Sequence, residues 1–223
     1  MMLSASPTEI YARKKYVTIT AQNGTKRRYR CYKQGAFITY GCIMTAVSIA
    51  ASGFGAKHSP RSIHSGRSSA CYSERYALQQ LGTGERFRYR AYSLKLASQI
   101  LTDMGIQNKR VVRFKKSQAI KEIRAHLLQG KPVIVKVKNR RWHGIRLANQ
   151  HHALVLVGIK KGRVYFINTA NGILNGSTHG SKRRHISISL KQLVNHFMYS
   201  SKGNTESAYV GSWKSAGGYI LVG

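Results

Sequence analysis

The chain has 223 residues and carries 38 Lys and Arg against 6 Asp and Glu, a formal net charge of +32. Its length fits one domain or at most two small ones, and a hydrophobic fraction of 42% is typical of a folded chain. The shortage of acids excludes chemistry that needs several placed carboxylates, such as paired-carboxylate glycosidases and carboxylate-rich calcium or magnesium sites.

No apolar run reaches the ~18 to 20 residues of a membrane-spanning helix. The longest, from Ile43 to Ala51, is interrupted by Thr45 and Ser48. The first 16 residues lack the apolar central stretch of a signal peptide. We therefore expect either a protein that stays in the cytoplasm or one whose leader has been removed.

The first part of the chain predicts a loose basic arm, residues 1–14, followed by a single domain, residues 15–223. Tyr16 to Thr20 alternates and is β-branched, which predicts a strand. Asn23-Gly24 is a hairpin turn signal, and Arg28 to Tyr32 is the expected returning strand.

The middle of the chain is predicted to be mainly helical. Cys42 to Ala51 consists of small and apolar residues and predicts a buried helix, with Gly53 suited to its C-cap. Gly53 to Ser69 is rich in Gly, Ser, His and Arg and predicts a long loop. The further elements expected here are two helices and a strand: 69–81, 93–104 and 109–114.

The second half predicts one helix followed by a mainly antiparallel sheet. Ser117 is the expected cap of the helix, and Gly130 its end. Ala153 to Ile159 is almost continuously apolar, which predicts a central strand buried on both faces. The other expected elements are strands 132–137, 163–168 and 218–222 and a short helix, 190–197. This order of elements predicts an α+β fold.

Three cysteines, Cys31, Cys42 and Cys71, are too few for a disulfide framework, although a Cys31–Cys71 bridge remains open. Cys42 differs from the others because it occupies the first turn of a predicted helix, after Gly41. Free N–H groups and the positive end of the helix dipole favour a thiolate there. The alternative is that all three are buried apolar residues.

His152 and Asn168 are predicted to lie close together on adjacent strands. His152 begins the buried strand, and Asn168 ends the next one, across a three-residue turn from Lys160 to Gly162. An asparagine in this position can accept the imidazole N–H and fix the tautomer of the ring. His151 precedes His152, so one histidine of the pair is expected to face each side of the sheet. The alternative is that His152 is a histidine at a sheet edge with only structural contacts.

Two segments resemble the C39-like peptidases. Residues 40–46, YGCIMTA, are similar to the nucleophile segment of that family, in which a Gly-Cys pair opens a helix. Residues 152–168, HALVLVGIKKGRVYFIN, resemble its histidine strand, glycine turn and orienting-residue strand. The helix from Ser117 with the following GKPVIV resembles the segment before the histidine strand, so the resemblance spans roughly residues 28 to 172.

The resemblance implies a papain-like fold and a thiol-dependent hydrolase that cleaves peptide bonds through Cys42, His152 and Asn168, without cofactor or metal. It also implies an oxyanion-hole glutamine upstream of Cys42, for which Gln34 is the candidate. Gln34 lies eight residues before the cysteine instead of the six found in papain relatives. The chain also has Asn168-Thr169 where the family more often has Asp-Pro. The same apparatus serves amidases, deamidases and acyltransferases.

Basic residues alternate with aromatic ones in four segments: 26–32, 86–92, 109–116 and 136–142. Ordinary half-buried strands with a solvated charged face give this pattern. It also fits a polyanion-binding surface, for nucleic acid, an anionic cell wall or acidic substrate segments. The alternative function is therefore a non-catalytic polyanion-binding protein on a papain-like scaffold. For the enzyme, the acid-free loop after Gly53 predicts a preference for acidic substrates.

Overall fold

The computed structural model describes residues 8–13, 15–34, 41–60, 94–148, 152–176, 185–200 and 217–223. The predicted helix 69–81, most of the predicted long loop, Cys71 and His151 lie outside these ranges. In the part of the chain that is described, no helix is long and apolar enough to cross a membrane.

Helices and antiparallel sheets are combined, which confirms the predicted α+β class. The helices are α1 Cys42–Ser52, α2 Leu94–Asp103, α3 Lys116–Leu128 and α4 Leu190–Gln192, which continues into a π-helical turn, Leu193–Phe197. The strands are β1 Glu9–Arg13, β2 Tyr16–Thr20, β3 Lys26–Arg30, β4 Asn108–Val111, β5 Val133–Val137, β6 Arg141–Trp142, β7 Ile145–Arg146, β8 His152–Lys160, β9 Arg163–Asn168, β10 Ile173–Leu174, β11 Ile188–Ser189 and β12 Tyr219–Val222.

The main sheet has the strand order β10-β9-β8-β5-β12-β4, and β11 also pairs with β9. β8 lies in the middle, and every residue from His152 to Ile159 is buried. This confirms the predicted central strand, because only a strand covered on both faces tolerates so continuous an apolar run.

The two faces of the main sheet support two hydrophobic cores. Ile134, Val155 and Ile220 share one core with α1 and α2. Val135 and Leu154 point the other way and pack with α3 and the π-helical turn. Successive side chains of a strand point to opposite faces, so the sheet contributes alternate residues to each core.

β1, β2 and β3 form a separate antiparallel sheet beside α1. Its inner side chains, Val17, Ile19 and Tyr29, belong to the α1 core. Residues 9–13, which the sequence assigned to a loose arm, are a strand paired residue by residue with β2. Ladder hydrogen bonds to β2 order this segment.

α3 begins two residues earlier than expected, and Ser117 does not cap it. The N-cap is Lys115, which makes no side-chain capping bond, and Ser117 already lies inside the helix. Burial of Ala119, Ile123 and Leu127 stabilises the helix instead. A capping box does occur at α4, between Ser189 and Gln192.

The β8–β9 hairpin differs from the expected three-residue turn. Lys160 pairs with Arg163, so the turn has two residues, Lys161 and Gly162, with positive φ values of 49° and 74°. Positive φ at both positions matches the twist of a hairpin. A β-bulge between Leu156 and Gly158 then shifts the register by one residue, and Asn168 pairs with Leu154.

Gly53 provides a test of how the small sheet packs on α1. It adopts a helical φ of −65°, yet a Cβ there would collide with the ring of Tyr29, which is fully buried. We expect Gly53→Ala to lower the free energy of unfolding by about 1–3 kcal/mol through overpacking. Urea denaturation measures this loss.

The matched control is the same substitution in a Tyr29→Leu background. Removing the ring makes room for the methyl group, so the cost of Gly53→Ala should shrink there. An equal cost in both backgrounds would show that the collision is not the cause.

Candidate active site

Cys42 is the first residue of α1, and Gly41 is its N-cap. The cap makes no side-chain hydrogen bond, and the first turn contains no acid. The carbonyl of Gly41 accepts from both the N–H and the hydroxyl of Thr45, each at 2.9 Å. The positive end of the helix dipole therefore lies beside the sulfur without a compensating carboxylate in that turn, which favours a thiolate.

The ring of His152 is held by two acceptors at the end of β9, Asn168 in the strand and Thr169 directly after it. Its Nε2 lies 2.9 Å from Asn168 Oδ1 and 3.0 Å from Thr169 Oγ1. The Thr169 hydroxyl donates its own proton to the carbonyl of Ala153 at 2.8 Å, so its oxygen accepts from the ring. Both contacts require a proton on Nε2, and they fix the tautomer of the neutral imidazole.

The orientation of the Asn168 amide follows from its other contacts. Nδ2 donates to the carbonyl of Gly176 at 2.8 Å and faces that of Leu147 at 3.4 Å. Oδ1 also accepts from the N–H of Ala170 at 3.1 Å. Asn168 is fully buried, so a flipped amide would oppose like groups on both sides. Oδ1 therefore faces His152.

Cys42 completes this network by a hydrogen bond between its thiol and His152. Burial lowers the pKa of His152, but this hydrogen bond, the negative charge of Cys42 and the hydrogen bond to Asn168 together raise the pKa above its usual value. Because Nε2 is engaged, Nδ1 is the nitrogen that faces the sulfur. Three of the four predicted site residues are thus brought together.

Gln34, the fourth, lies next to this network through its backbone. Its N–H donates to the carbonyl of Thr169 at 2.7 Å. The adjoining segment approaches Gly172 so closely that a Cβ there would lie 2.7 Å from the Cys31 carbonyl, and Gly172 has a φ of 67°. Only glycine accommodates both conditions. The role of the Gln34 side chain in an oxyanion hole stays a prediction.

Two neighbours of the site were not singled out from the sequence. Thr169 has no signal of its own, because a threonine after a strand is common. Lys136 had one: it is the only charged residue in the otherwise apolar strand VIVKV. Its side chain is 1% exposed, and burial lowers its pKa to about 8, although the negative charge of Cys42 raises it.

Cys31 is a free thiol outside this network. Burial raises its pKa to about 11, so the thiol form dominates at neutral pH. Within the described ranges, no three His, Cys, Asp or Glu side chains converge as a metal site requires.

The two carbonyls on Asn168 Nδ2 explain why an aspartate is unsuitable here. Asn168→Asp would place a carboxylate oxygen against both, so we expect the free energy of unfolding to fall by about 1–3 kcal/mol. Urea denaturation at neutral pH measures it. Asn139→Asp is the matched control, since exposed Asn139 uses its oxygen to accept from Arg146 and keeps that role as an aspartate. Equal effects would contradict this account of residue 168.

Comparison with known proteins agrees with the geometry. No curated protein sequence matches the chain. A family model described as the Peptidase_C39 like family matches residues 15–179, which is most of the chain and contains Gln34, Cys42, His152 and Asn168. The chain therefore belongs to the Peptidase_C39 like family of cysteine peptidases.

Proposed function

We propose that the protein is a thiol-dependent hydrolase that cleaves peptide bonds, with Cys42 as nucleophile, His152 as general base and acid, and Asn168 as the residue that orients the histidine. The observation that carries this proposal is the imidazole held between the Cys42 thiol and the Asn168 amide. The family supports peptide substrates over other acyl groups.

In the proposed mechanism, His152 Nδ1 takes the proton of Cys42 Sγ, and the thiolate attacks the scissile carbonyl carbon. The oxyanion forms beside the backbone N–H of Cys42 and the side chain of Gln34. The C–N bond then breaks, and Nδ1–H protonates the leaving amine. Water attacks the thioester, gives a proton back to Nδ1, and the acid product leaves with Cys42 restored as the thiol.

Access to the sulfur sets a condition on this reaction. Cys42 is 1% exposed and His152 7% exposed. A substrate carbonyl can reach Sγ only when the groups that cover it move apart. A small alkylating reagent is therefore a better first probe of the thiol than a large one.

The first test is the reactivity of the three cysteines. We expect iodoacetamide at about pH 6 to label Cys42 much faster than Cys31, because a thiol with a pKa of about 11 holds almost no thiolate there. Cys42→Ala should abolish hydrolysis of a denatured protein substrate while the fold persists, and Asn168→Ala should cost less activity than His152→Ala. Site-resolved mass spectrometry and a peptide-release assay provide the measurements.

Cys31→Ala is the control and should retain activity. Faster labelling of Cys31 or Cys71 would mean that the nucleophile is wrongly assigned. An unreactive Cys42 in a protein that binds nucleic acid or anionic cell-wall polymer would favour the non-catalytic polyanion-binding alternative.

For the substrate, we infer that an acidic segment binds in a groove beside the site. The groove, about 330 Å³ in volume, is lined by three basic side chains, Lys15, Arg30 and Lys33, with no acid among its lining residues. Lys33 directly precedes Gln34, so the groove ends next to the candidate oxyanion donor. Carboxylates placed there would meet positive potential.

Matched peptides that differ only in acidic, neutral or basic flanking residues test this preference. We expect the acidic peptide to have the highest kcat/KM and to lose most of that advantage at high ionic strength, because salt screens exposed charges. Lys33→Gln should raise KM for the acidic peptide by about fivefold, because it removes one exposed ion pair worth about 1 kcal/mol of binding free energy. Lys121→Gln, an exposed lysine on α3, is the control. Equal rates for the three peptides, with no dependence on salt, would show that the groove does not contribute to substrate recognition.

A further inference from the structure

Lys136 lies on the same side of the main sheet as the nucleophile. It follows Ile134 by two residues, and Ile134 packs in the α1 core, so both side chains point toward α1. In the ladder Lys136 pairs with Ala153, another member of that core, and the next pair is Val137 with His152. The lysine is therefore one strand away from the histidine and under the helix that begins with Cys42.

The charged and titratable groups around Lys136 come from several elements. α1 contributes Cys42, whose negative charge acts on the lysine. On β8, His152 pairs with Val137, the residue that follows Lys136. From β12, Tyr219 points to the opposite core and donates to Glu122. On the π-helical turn, His196 stacks on Trp142.

The acids in the described ranges lie elsewhere. Glu9 and Asp103 are exposed, on β1 and at the end of α2. Glu122 receives Tyr219 at 2.8 Å and has Lys109 at 3.7 Å. Among the described residues, Cys42 is an anion whose charge acts on Lys136.

Burial of this ammonium is costly for folding. Moving a cation out of water costs several kcal/mol, and replacing buried charges by apolar side chains of similar volume is often neutral or stabilising. A methionine at position 136 would fill the same space and would match the other, apolar residues of β5. The lysine is therefore poorly explained as a packing residue, whereas a cation near a nucleophilic sulfur has a direct chemical effect.

We propose that Lys136 is a positioning residue that stabilises the Cys42 thiolate from beneath α1, as a second cation beside the His152 imidazolium; the proposal rests on the thiol hydrolase function above. A second cation lowers the pH at which the thiolate forms. It also makes the thiolate less nucleophilic, since nucleophilicity falls with thiol pKa.

The charge of Lys136 itself depends on pH. Its pKa is lowered to about 8, so the ammonium is present below that pH and is lost as the pH rises through it. The rate of alkylation of Cys42 in the wild-type protein should consequently rise in two steps. The first step is thiolate formation at low pH, and the second, near pH 8, follows from the loss of the second cation.

Lys136→Met is the test variant, and alkylation of Cys42 by iodoacetamide, followed from about pH 4 to pH 10, is the measurement. We expect the low-pH step to move up by about one pH unit, which lowers the rate on that limb about tenfold. The step near pH 8 should disappear. Lys136→Arg should keep the low-pH step and lose the second, because a guanidinium stays charged.

Lys121→Met removes the same charge from the exposed face of α3 and should leave the profile unchanged. Urea denaturation of Lys136→Met should show a stability no lower than that of the wild type. An unshifted profile in Lys136→Met, with Cys42 still reacting fast, would overturn the inference and leave the hydrolase proposal intact. If Lys136→Met does not fold, the pH profile of Cys42 alkylation in the wild-type protein tests the inference instead. A profile with a single step would overturn the inference. If Cys42 of the wild-type protein does not react at all, the result would instead contradict the proposed hydrolase function.

Discussion

The hydrogen bond between His152 and Asn168 depends on the register of two neighbouring strands. From the two-residue turn at Lys161 and Gly162, regular pairing would put Asn168 opposite Val155, whose side chain points into the α1 core. The bulge between Leu156 and Gly158 moves it opposite Leu154, on the face where His152 lies. One unpaired residue therefore decides whether the amide can reach the imidazole.

The same strand also fixes the position of Cys42. Every residue of α1 from Cys42 to Ala51 is buried, and the helix packs on β8 through Ala153, Val155 and Val157. A helix covered on all sides has little freedom to shift or rotate, because protein interiors are densely packed. Its N-terminus is thereby held at the end of β8 where His152 begins. The geometry of the proposed nucleophile and base thus derives from packing, while the tautomer derives from hydrogen bonds.

The sequence predicted the elements that bury continuous apolar runs. The bounds of β9 and the start of α1 were predicted to the residue, because each is marked by a change of composition. The predicted closeness of His152 and Asn168 assumed a three-residue turn. The actual turn has two residues, and the bulge at Val157 shifts the register by one residue and compensates for the shorter turn. The sequence does hold a signal for the bulge, because Gly158 directly follows Val157 and an isolated glycine inside a strand often marks one. Ser117 failed as a cap because burial of one face, and not capping, stabilises α3.

The shortage of acids leads to a further consequence for the site. An aspartate in place of Asn168 would add a carboxylate among backbone carbonyls, whereas the neutral amide donates to two of them and still orients the histidine. Thr169 adds a second neutral acceptor for Nε2. With no carboxylate at these two positions, the negative charge that acts on His152 is that of Cys42, which also acts on Lys136. His152 and Lys136 thus both interact with the charge of Cys42, and a positive environment favours the reactive form of a cysteine.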